Sequence, residues 1–371
     1  MKSQSLHSLS LPKTSFDKTR KRVLFICGTY NQTTQMHQVA SQLPEYEAAF
    51  SPYYGDGFLD FAKEAGMLEW TILGNKWVKR SSDYLRTYSL PIDYRGKKHA
   101  YDLVVTCQDL IIPKNIRRSK MVLVQEGMTD PETSLFRLVR ALPFLPRWFA
   151  GTSTTGLSNR YDRFCVASDG YRDLFVQKGV RPEKIEVTGI PNFDNCRKFL
   201  INDFPHKHFV LVCTSDSRET FAYENRKKFI EKAVQIAAGR QLIFKLHPNE
   251  DVRRATREIN RYAPCAIVCE NGKAEEMVAN CDVLVTRYST TAYVGIALGK
   301  EVYSEFNLEQ LKRLLPLQNG SAASNIANVC RELLEQKVGS SVPVRSRSVG
   351  SFCNPDDFRA TSKSLTTEVE R

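Results

Sequence analysis

The chain has 371 residues, with 53 Lys plus Arg against 41 Asp plus Glu, a formal charge of +12, 42% hydrophobic residues and 25% charged ones. At roughly 100–200 residues per domain this length points to two domains, and the composition excludes wholesale disorder. The longest apolar stretch, Leu135 to Ala150, is broken by Arg137, Arg140, Pro143, Pro146 and Arg147, which leaves it short of the ~20 apolar residues that a spanning helix needs.

Residues 1–21 read as a basic flexible arm: six basic residues and one acid precede Val23, with no apolar segment of a secretory signal behind them. The expected location is therefore cytoplasmic, with the arm and the aromatic-basic stretch Leu135–Phe149 available for peripheral contact with an anionic membrane at its inner face. Ten cysteines lie scattered, several in apolar runs, without Cys-x-x-Cys or a His at metal spacing. They are expected to be reduced core residues.

From Val23 onward, short β-branched apolar runs alternate with amphipathic stretches, the pattern of parallel sheets covered by crossover helices. Strands are expected at Val23–Cys27, Trp70–Leu73, Leu103–Cys107, Met121–Gln125, Phe164–Ala167 and Ile185–Thr188. Residues Pro191 to His208 interrupt the periodicity and read as a hinge. The pattern then restarts, with strands at Phe209–Cys213, Leu242–Leu246, Ala266–Cys269, Val283–Thr286 and Val302–Ser304 and helices over 221–238, 251–262, 273–279, 291–298 and 322–336. The fold class expected is α/β, two doubly wound Rossmann-like domains facing across a cleft. The first would span 22–200 and hold the acceptor, the second 201–337 and hold a nucleotide donor, and a Ser/Thr-rich tail over 338–371 would be loosely ordered.

In such folds ligands bind beyond the carboxyl ends of the strands, so those ends carry the candidate site. After the first strand, Gly28-Thr29 opens a helix, and a small-residue loop there lets backbone N–H groups approach a substrate. The Gly-x-Gly-x-x-Gly pattern of dinucleotide binding is absent, which disfavours a dehydrogenase. His37 in the same helix is either a catalytic group or a packing histidine. Asp109 and Glu126 each follow a strand end, where partial desolvation raises a carboxylate toward the range of a general base; the alternative is a loop cap or an ion pair. In the second half Lys245 and His247 alternate with Leu246 on one face, with Pro248 ending the strand. Tyr288, Ser289, Thr290 and Thr291 precede a helix and offer hydroxyls to a phosphate, or a simple N-cap.

On these residues the chain, over roughly 22–335, resembles the GT-B-type nucleotide-sugar enzymes. The first half is similar to the non-hydrolysing UDP-N-acetylglucosamine 2-epimerases, with Gly28-Thr29 where that family has Gly-Thr-Arg-Pro-Glu and Val124-Gln125-Glu126-Gly127 where it has Val-Glu-Ala-Gly. The run Phe164–Ser168, Gly179-Val180 and Val187–Pro191 matches in spacing, and His247-Pro248-Asn249 with Val252-Arg253 resembles the family's His-x-Asn-Pro-x-Val-Arg. The chain departs from it at Tyr30 and Gln35, which stand for an Arg and a Lys, at Ser215–Glu219, and at Arg287–Val294. Those changes remove acid and base groups that epimerisation by elimination of UDP requires.

The second half resembles the CDP-glycerol glycerophosphotransferases and capsule-type glycosyltransferases. Their His-Pro is matched by His247-Pro248, their Thr-Asp-Tyr-Ser-Ser by Thr286-Arg287-Tyr288-Ser289-Thr290, and their Leu-Gly-Lys by Leu298-Gly299-Lys300. That resemblance implies that His247 and the hydroxyls hold the donor's phosphates. Arg287, in place of an Asp, adds a cation near the phosphates or faces solvent. The function expected is a transferase of cell-surface polysaccharide or glycolipid synthesis, with a nucleotide-activated sugar or CDP-glycerol-like donor and a saccharide or lipid-linked acceptor. Glu126 or Asp109 would be the base, and Lys245 or Arg218 would neutralise the leaving group. With no Asp-x-Asp segment at a strand end, metal independence is expected, with no cofactor and no nucleic-acid partner. The alternative is a UDP-N-acetylglucosamine 2-epimerase-like epimerase or hydrolase.

Overall fold

A computed structural model describes residues 20–336 apart from 58–60, 62, 64, 67–73, 130, 131, 133, 143, 144, 216 and 219–223. Most of the basic arm, the tail over 338–371 and the expected strand Trp70–Leu73 lie outside the described residues.

The first half builds a parallel six-stranded sheet from β1 (Arg22–Ile26), β2 (Glu47–Ser51), β3 (Leu103–Thr106), β4 (Lys120–Val124), β5 (Arg163–Val166) and β6 (Ile185–Val187), in the order β2-β1-β3-β4-β5-β6. Its helices are α1 (Tyr30–Ala40), α2 (Asn75–Thr87), α3 (Ser134–Ala141) and α4 (Asp169–Lys178). The second half builds a parallel five-stranded sheet from β7 (Val210–Cys213), β8 (Leu242–Lys245), β9 (Ile267–Cys269), β10 (Val283–Thr286) and β11 (Glu301–Tyr303), in the order β11-β10-β7-β8-β9. With it come α5 (Arg226–Ala237), α6 (Val252–Tyr262), α7 (Ala274–Asn280), α8 (Thr291–Ala297), α9 (Leu308–Leu314) and α10 (Ala322–Glu335).

The central strands are apolar on both faces because both faces are covered. In β1, Leu24 and Ile26 enter one core cluster while Val23 and Phe25 enter another, and β4 divides Met121 and Leu123 from Val122 and Val124 in the same way. Seven of the nine described cysteines are buried in these layers, and all nine are unpaired; Cys265 is exposed and Cys269 half-buried. No described helix is long and apolar enough to cross a membrane.

Two of the differences from expectation bear on the architecture. β2, Glu47-Ala-Ala-Phe-Ser51, pairs in parallel with β1 although it lacks β-branched residues; pairing with a buried neighbour overrides weak propensity. α10, grouped above with the second half, packs on the first sheet, where Ile326, Cys330 and Leu333 share a cluster with Phe25, Val105 and Val122. Periodicity gives the helix an apolar stripe but does not say which sheet the stripe meets. Lys120 Nζ then donates to the carbonyls of Leu333 and Gln336 at 2.6 and 2.9 Å, and Lys21 Nζ donates to Leu334 O at 2.5 Å. These cations sit on the carbonyl end of the helix, where its orphan acceptors and dipole favour them.

Candidate active site

The loop between β1 and α1 is organised by a reciprocal cap. Thr29 Oγ1 accepts the Gln32 N–H at 3.2 Å, and the Thr29 N–H donates to Gln32 Oε1 at 3.3 Å. This pairing fixes two more groups. With Oε1 turned to the Thr29 N–H, Gln32 presents its amide nitrogen outward, and Nε2 donates to Glu126 Oε2 at 2.6 Å. With its lone pair on the Gln32 N–H, the Thr29 hydroxyl points its proton at Glu126 Oε1, 2.8 Å away. Gly28 is needed for this closeness, since a Cβ there would stand 2.5 Å from Gln32 Oε1 and 2.8 Å from Tyr54 Cε1.

The backbone around Glu126 is tied down by Gln125, which is buried just past β4. Its Nε2 donates to Gly127 O at 2.7 Å, and its Oε1 accepts the Ala167 N–H at 2.9 Å. Burial raises the Glu126 carboxyl above its ordinary value, and the two donors from Gln32 and Thr29 only partly offset that. The result is a fixed carboxylate whose proton affinity is increased, as a general base requires.

Across from it lies the second half. Thr290 comes so near Gly127 that a Cβ at Gly127 would be 3.0 Å from Thr290 Cγ2. Beside Thr290, Ser289 Oγ and Thr291 Oγ1 are 2.9 Å apart, and the Thr291 N–H donates to Ser289 Oγ at 3.3 Å. Tyr288 is half-exposed with its ring edge-on to Phe306 at 4.8 Å, and burial with the nearby Glu305 raises its phenol. His247, at the end of β8, is partly buried. Its N–H donates to Thr214 Oγ1 and Glu250 Oε2, both at 3.0 Å, while Nδ1 accepts the Asn249 N–H at 3.3 Å. From the first half, Lys76 Nζ reaches Asn249 Oδ1 at 3.5 Å. The strand-end segments of both halves therefore converge, with Gly28, Thr29 and Glu126 on one side and Ser289, Thr290, Thr291 and His247 on the other.

Four expected site residues are engaged elsewhere. Asp109 is fully buried, and its carboxylate accepts the N–H groups of Gly156 and Ser158 at 3.0 and 2.9 Å and pairs with Arg147 at 3.1 Å. It organises the 147–158 loop rather than facing a substrate. His37 packs on Tyr84 and Tyr88, with Nδ1 3.0 Å from the Tyr84 hydroxyl and burial lowering its proton affinity; it is a packing histidine two turns along α1. Lys245 turns Nζ to the carbonyls of Leu246 and Glu270, both at 2.8 Å, and burial lowers its proton affinity. Arg218 forms a two-armed pair with Glu258, both contacts at 2.8 Å. Arg287 likewise meets Glu305 at 2.6 Å and Glu224 at 3.3 Å instead of solvent.

The sequence reading missed the residues that hold the others in place. Gln32 had a visible signal, because Thr29-x-x-Gln32 before an apolar-periodic helix is a capping box. Glu250 and Arg226 did not, being joined only in space. Arg226, 4% exposed, pairs with Glu224 and Glu250 at 2.5 Å each, and Glu250 in turn accepts from the Thr214 hydroxyl and the His247 N–H. Asp130, Asp216 and Glu219 lie outside the described residues. Among the described residues, no group of three His, Cys, Asp or Glu side chains is placed to hold a metal ion.

The architecture, two parallel sheets with a C-terminal helix returning to the first, is of the GT-B type. No family model matches the chain, and no curated protein matches it by sequence. Among solved structures it is similar to a UDP-GlcNAc 2-epimerase from Neisseria meningitidis bound to UDP-GlcNAc, with 11% identity over 84% of this chain and 100% of that one and a TM-score of 0.53. A protein of Listeria monocytogenes described as a UDP-N-acetylglucosamine 2-epimerase is 14% identical over 88% of this chain and 100% of that one, with a TM-score of 0.52. The wall teichoic acid polymerase TagF is 13% identical over 85% of this chain and 89% of that one, with a TM-score of 0.49. The fold expected from the sequence is thus the fold observed.

Proposed function

We propose that the chain is a metal-independent transferase that moves a sugar, or a glycerol phosphate-like group, from a nucleotide-activated donor to a hydroxyl of a saccharide or lipid-linked acceptor. The observation that carries this reading is the Glu126 carboxylate, fixed by Thr29 and Gln32, raised in proton affinity by burial and set beside the Thr290 hydroxyl segment. In the reaction, Glu126 takes the proton of the acceptor hydroxyl as that oxygen bonds to the transferred group. The bond to the nucleotide breaks, and the nucleotide leaves with the electron pair. His247, Ser289, Thr290 and Thr291 would receive the donor's phosphates, with Tyr288 at the margin. Lys245 and Arg218 drop out of that role because their charges are already paired or turned to carbonyls. Metal independence rests on the sequence, in which no Asp-x-Asp follows a strand.

The test is a calorimetric panel of UDP, CDP, CMP, GDP and ADP. One nucleotide is expected to bind, His247→Ala to weaken it about tenfold, and Glu126→Gln to leave it unchanged while slowing transfer by about 10²–10⁴-fold. If no nucleotide binds, the reading fails.

A peripheral membrane contact belongs to the same proposal. Trp148 and Phe149 stack at 4.2 Å and are 45% and 49% exposed, and Leu135 and Leu138 are exposed on α3 beside Arg137 and Arg140. Apolar side chains ringed by cations suit an anionic bilayer surface. Sedimentation with vesicles containing phosphatidylglycerol is expected to fall at least about fivefold in a Trp148→Ser/Phe149→Ser variant, each lost aromatic removing apolar burial; unchanged sedimentation would remove this contact.

The likeness in fold to the two epimerases supports a second reading, epimerisation or hydrolysis of a nucleotide sugar. Conversion of UDP-N-acetylglucosamine to its 2-epimer, or release of UDP from it, with no acceptor present would favour that reading.

A further inference from the structure

Arg218 and Glu224 beyond β7, the first turn of α5 and one face of α6 line an open cavity of about 580 Å³ that none of the roles above uses. Six basic side chains and two carboxylates line it. Arg254, Arg257 and Arg261 come from α6 at spacings of three and four, so they share a face and spread along ~10 Å of helix at 1.5 Å per residue. Lys227 of α5 also lines the cavity, with Nζ 3.8 Å from Glu231 and 5.8 Å from the Tyr262 ring.

The two carboxylates are already engaged, Glu224 with Arg226 and Arg287, and Glu258 with both arms of Arg218. Arg257 and Arg261 have no carboxylate within 4.0 Å among the described residues. Arg257 Nε reaches only the Arg253 carbonyl at 3.3 Å, and the Arg261 guanidinium lies 5.5 Å from the Tyr262 ring. Arg226 also lines the cavity; although it is ion-paired through Nε and Nη2, its buried Nη1 has no hydrogen-bond acceptor. Like charges at helical spacing repel, and Asp251 and Glu258 on the same helix offset that repulsion only in part, at Arg254 and Arg257. An anion there would be met by guanidinium groups suited to two-armed contacts with phosphate.

We propose that this cavity binds a small anion with two or more phosphate groups, of the pyrophosphate or tripolyphosphate type, at a site separate from the strand-end cleft. One phosphate would leave part of the ~10 Å of cationic wall unmatched. The concave shape and volume fit a small molecule rather than a flat membrane surface. The inference does not depend on the transferase reading, which concerns a different set of residues.

The experiment is calorimetric titration of the full chain at low salt with sodium tripolyphosphate and with inorganic phosphate. Arg257→Gln/Arg261→Gln and His247→Ala are titrated beside the wild type. Both arginines are exposed, so the double variant is expected to fold. Tripolyphosphate should bind the wild type at least about tenfold tighter than phosphate, lose at least about tenfold in the double variant and change less than about twofold in His247→Ala. Absence of binding, equal affinity for the two anions or an affinity within about twofold in the double variant would overturn the proposal. A tenfold loss in His247→Ala would place the anion in the strand-end cleft and overturn the separate site. Tighter binding of a single-stranded oligonucleotide, lost in the double variant, would assign the wall to nucleic acid instead.

Discussion

Glu126 and Asp109 stand alike in the sequence, each an acid two or three residues beyond a parallel strand, and the structure gives them different surroundings. The difference lies in their donors. Asp109 receives two backbone N–H groups and a guanidinium, all from the 147–158 loop packed over it, and is fully buried beneath them. Glu126 receives two side chains from another element, Thr29 and Gln32 at the start of α1, and is less enclosed than Asp109. Position at a strand end was legible in the sequence; the direction of the side chain depended on Arg147, 38 residues away. His37 is a similar case. Its Tyr84 and Tyr88 neighbours come from α2 and its C-terminal cap, which the sequence did not reveal. Since burial lowers its proton affinity below the ordinary value of 6.5, the folded chain binds fewer protons at His37 than the unfolded chain between the two values. Stability therefore rises with pH through that window and is lost as pH falls through 6.5 toward the lowered folded value. His37→Gln is expected to flatten this acid-side slope in denaturant melts taken at successive pH values and to leave turnover within about twofold, as for a side chain outside the reaction. A hundredfold loss of turnover at unchanged stability would return His37 to the catalytic group.

At the scale of elements, the strands were readable because a strand buried on both faces carries an unbroken apolar run, as Val23–Ile26, Leu103–Val105, Met121–Val124 and Val283–Val285 do. β2 was not readable, since its pairing with β1 supplies what its composition lacks. The junction of β1 and α1 is where an element meets the proposed base. The cap that starts the helix also orients the two donors on Glu126, so a change in the cap should be felt in the proton affinity of the carboxylate. Gly28→Ala brings a methyl group to 2.5 Å from Gln32 Oε1 and 2.8 Å from the Tyr54 ring. Overpacking of this kind costs about 1–3 kcal/mol, measurable in a denaturant melt. If Gln32 is displaced, Glu126 loses a donor that favours its charged form, and the acidic limb of the rate profile should move to higher pH. Loss of stability with an unmoved acidic limb would separate the cap from the carboxylate. The corresponding device in the second half is the buried Arg226–Glu250 pair, which carries the His247 backbone and is invisible in sequence because its partners are 24 residues apart.

For the whole molecule, the question is what holds two sheets at one spacing. The chain crosses back through residues 315–321, where the Leu317 N–H donates to Ala167 O and the Gly320 N–H donates to Asp194 O, and α10 then locks onto the first sheet. Between the halves, the Tyr171 and Tyr293 hydroxyls meet at 2.6 Å in a buried contact, and Thr290 abuts Gly127. A two-domain reading of the sequence anticipates a cleft, but not that the cleft narrows to a methyl group against a glycine. That contact carries a specific expectation. Gly127→Ala places a Cβ 3.0 Å from Thr290 Cγ2, so either the halves part by a few tenths of an ångström or Glu126 shifts. Displacement of reacting groups on that scale is expected to lower kcat/KM about tenfold, near 1.4 kcal/mol. Thr290→Ser keeps the hydroxyl and removes the methyl group that collides. In the double variant the loss should therefore shrink, with a coupling of about 1 kcal/mol between the two positions, as for side chains in direct contact. Steady-state kinetics on the four proteins of the cycle measure this. Simple additivity would mean that the spacing of the halves during turnover is not set by this contact, and the approach of Glu126 to Ser289–Thr291 would then have to come from a further closure of the cleft.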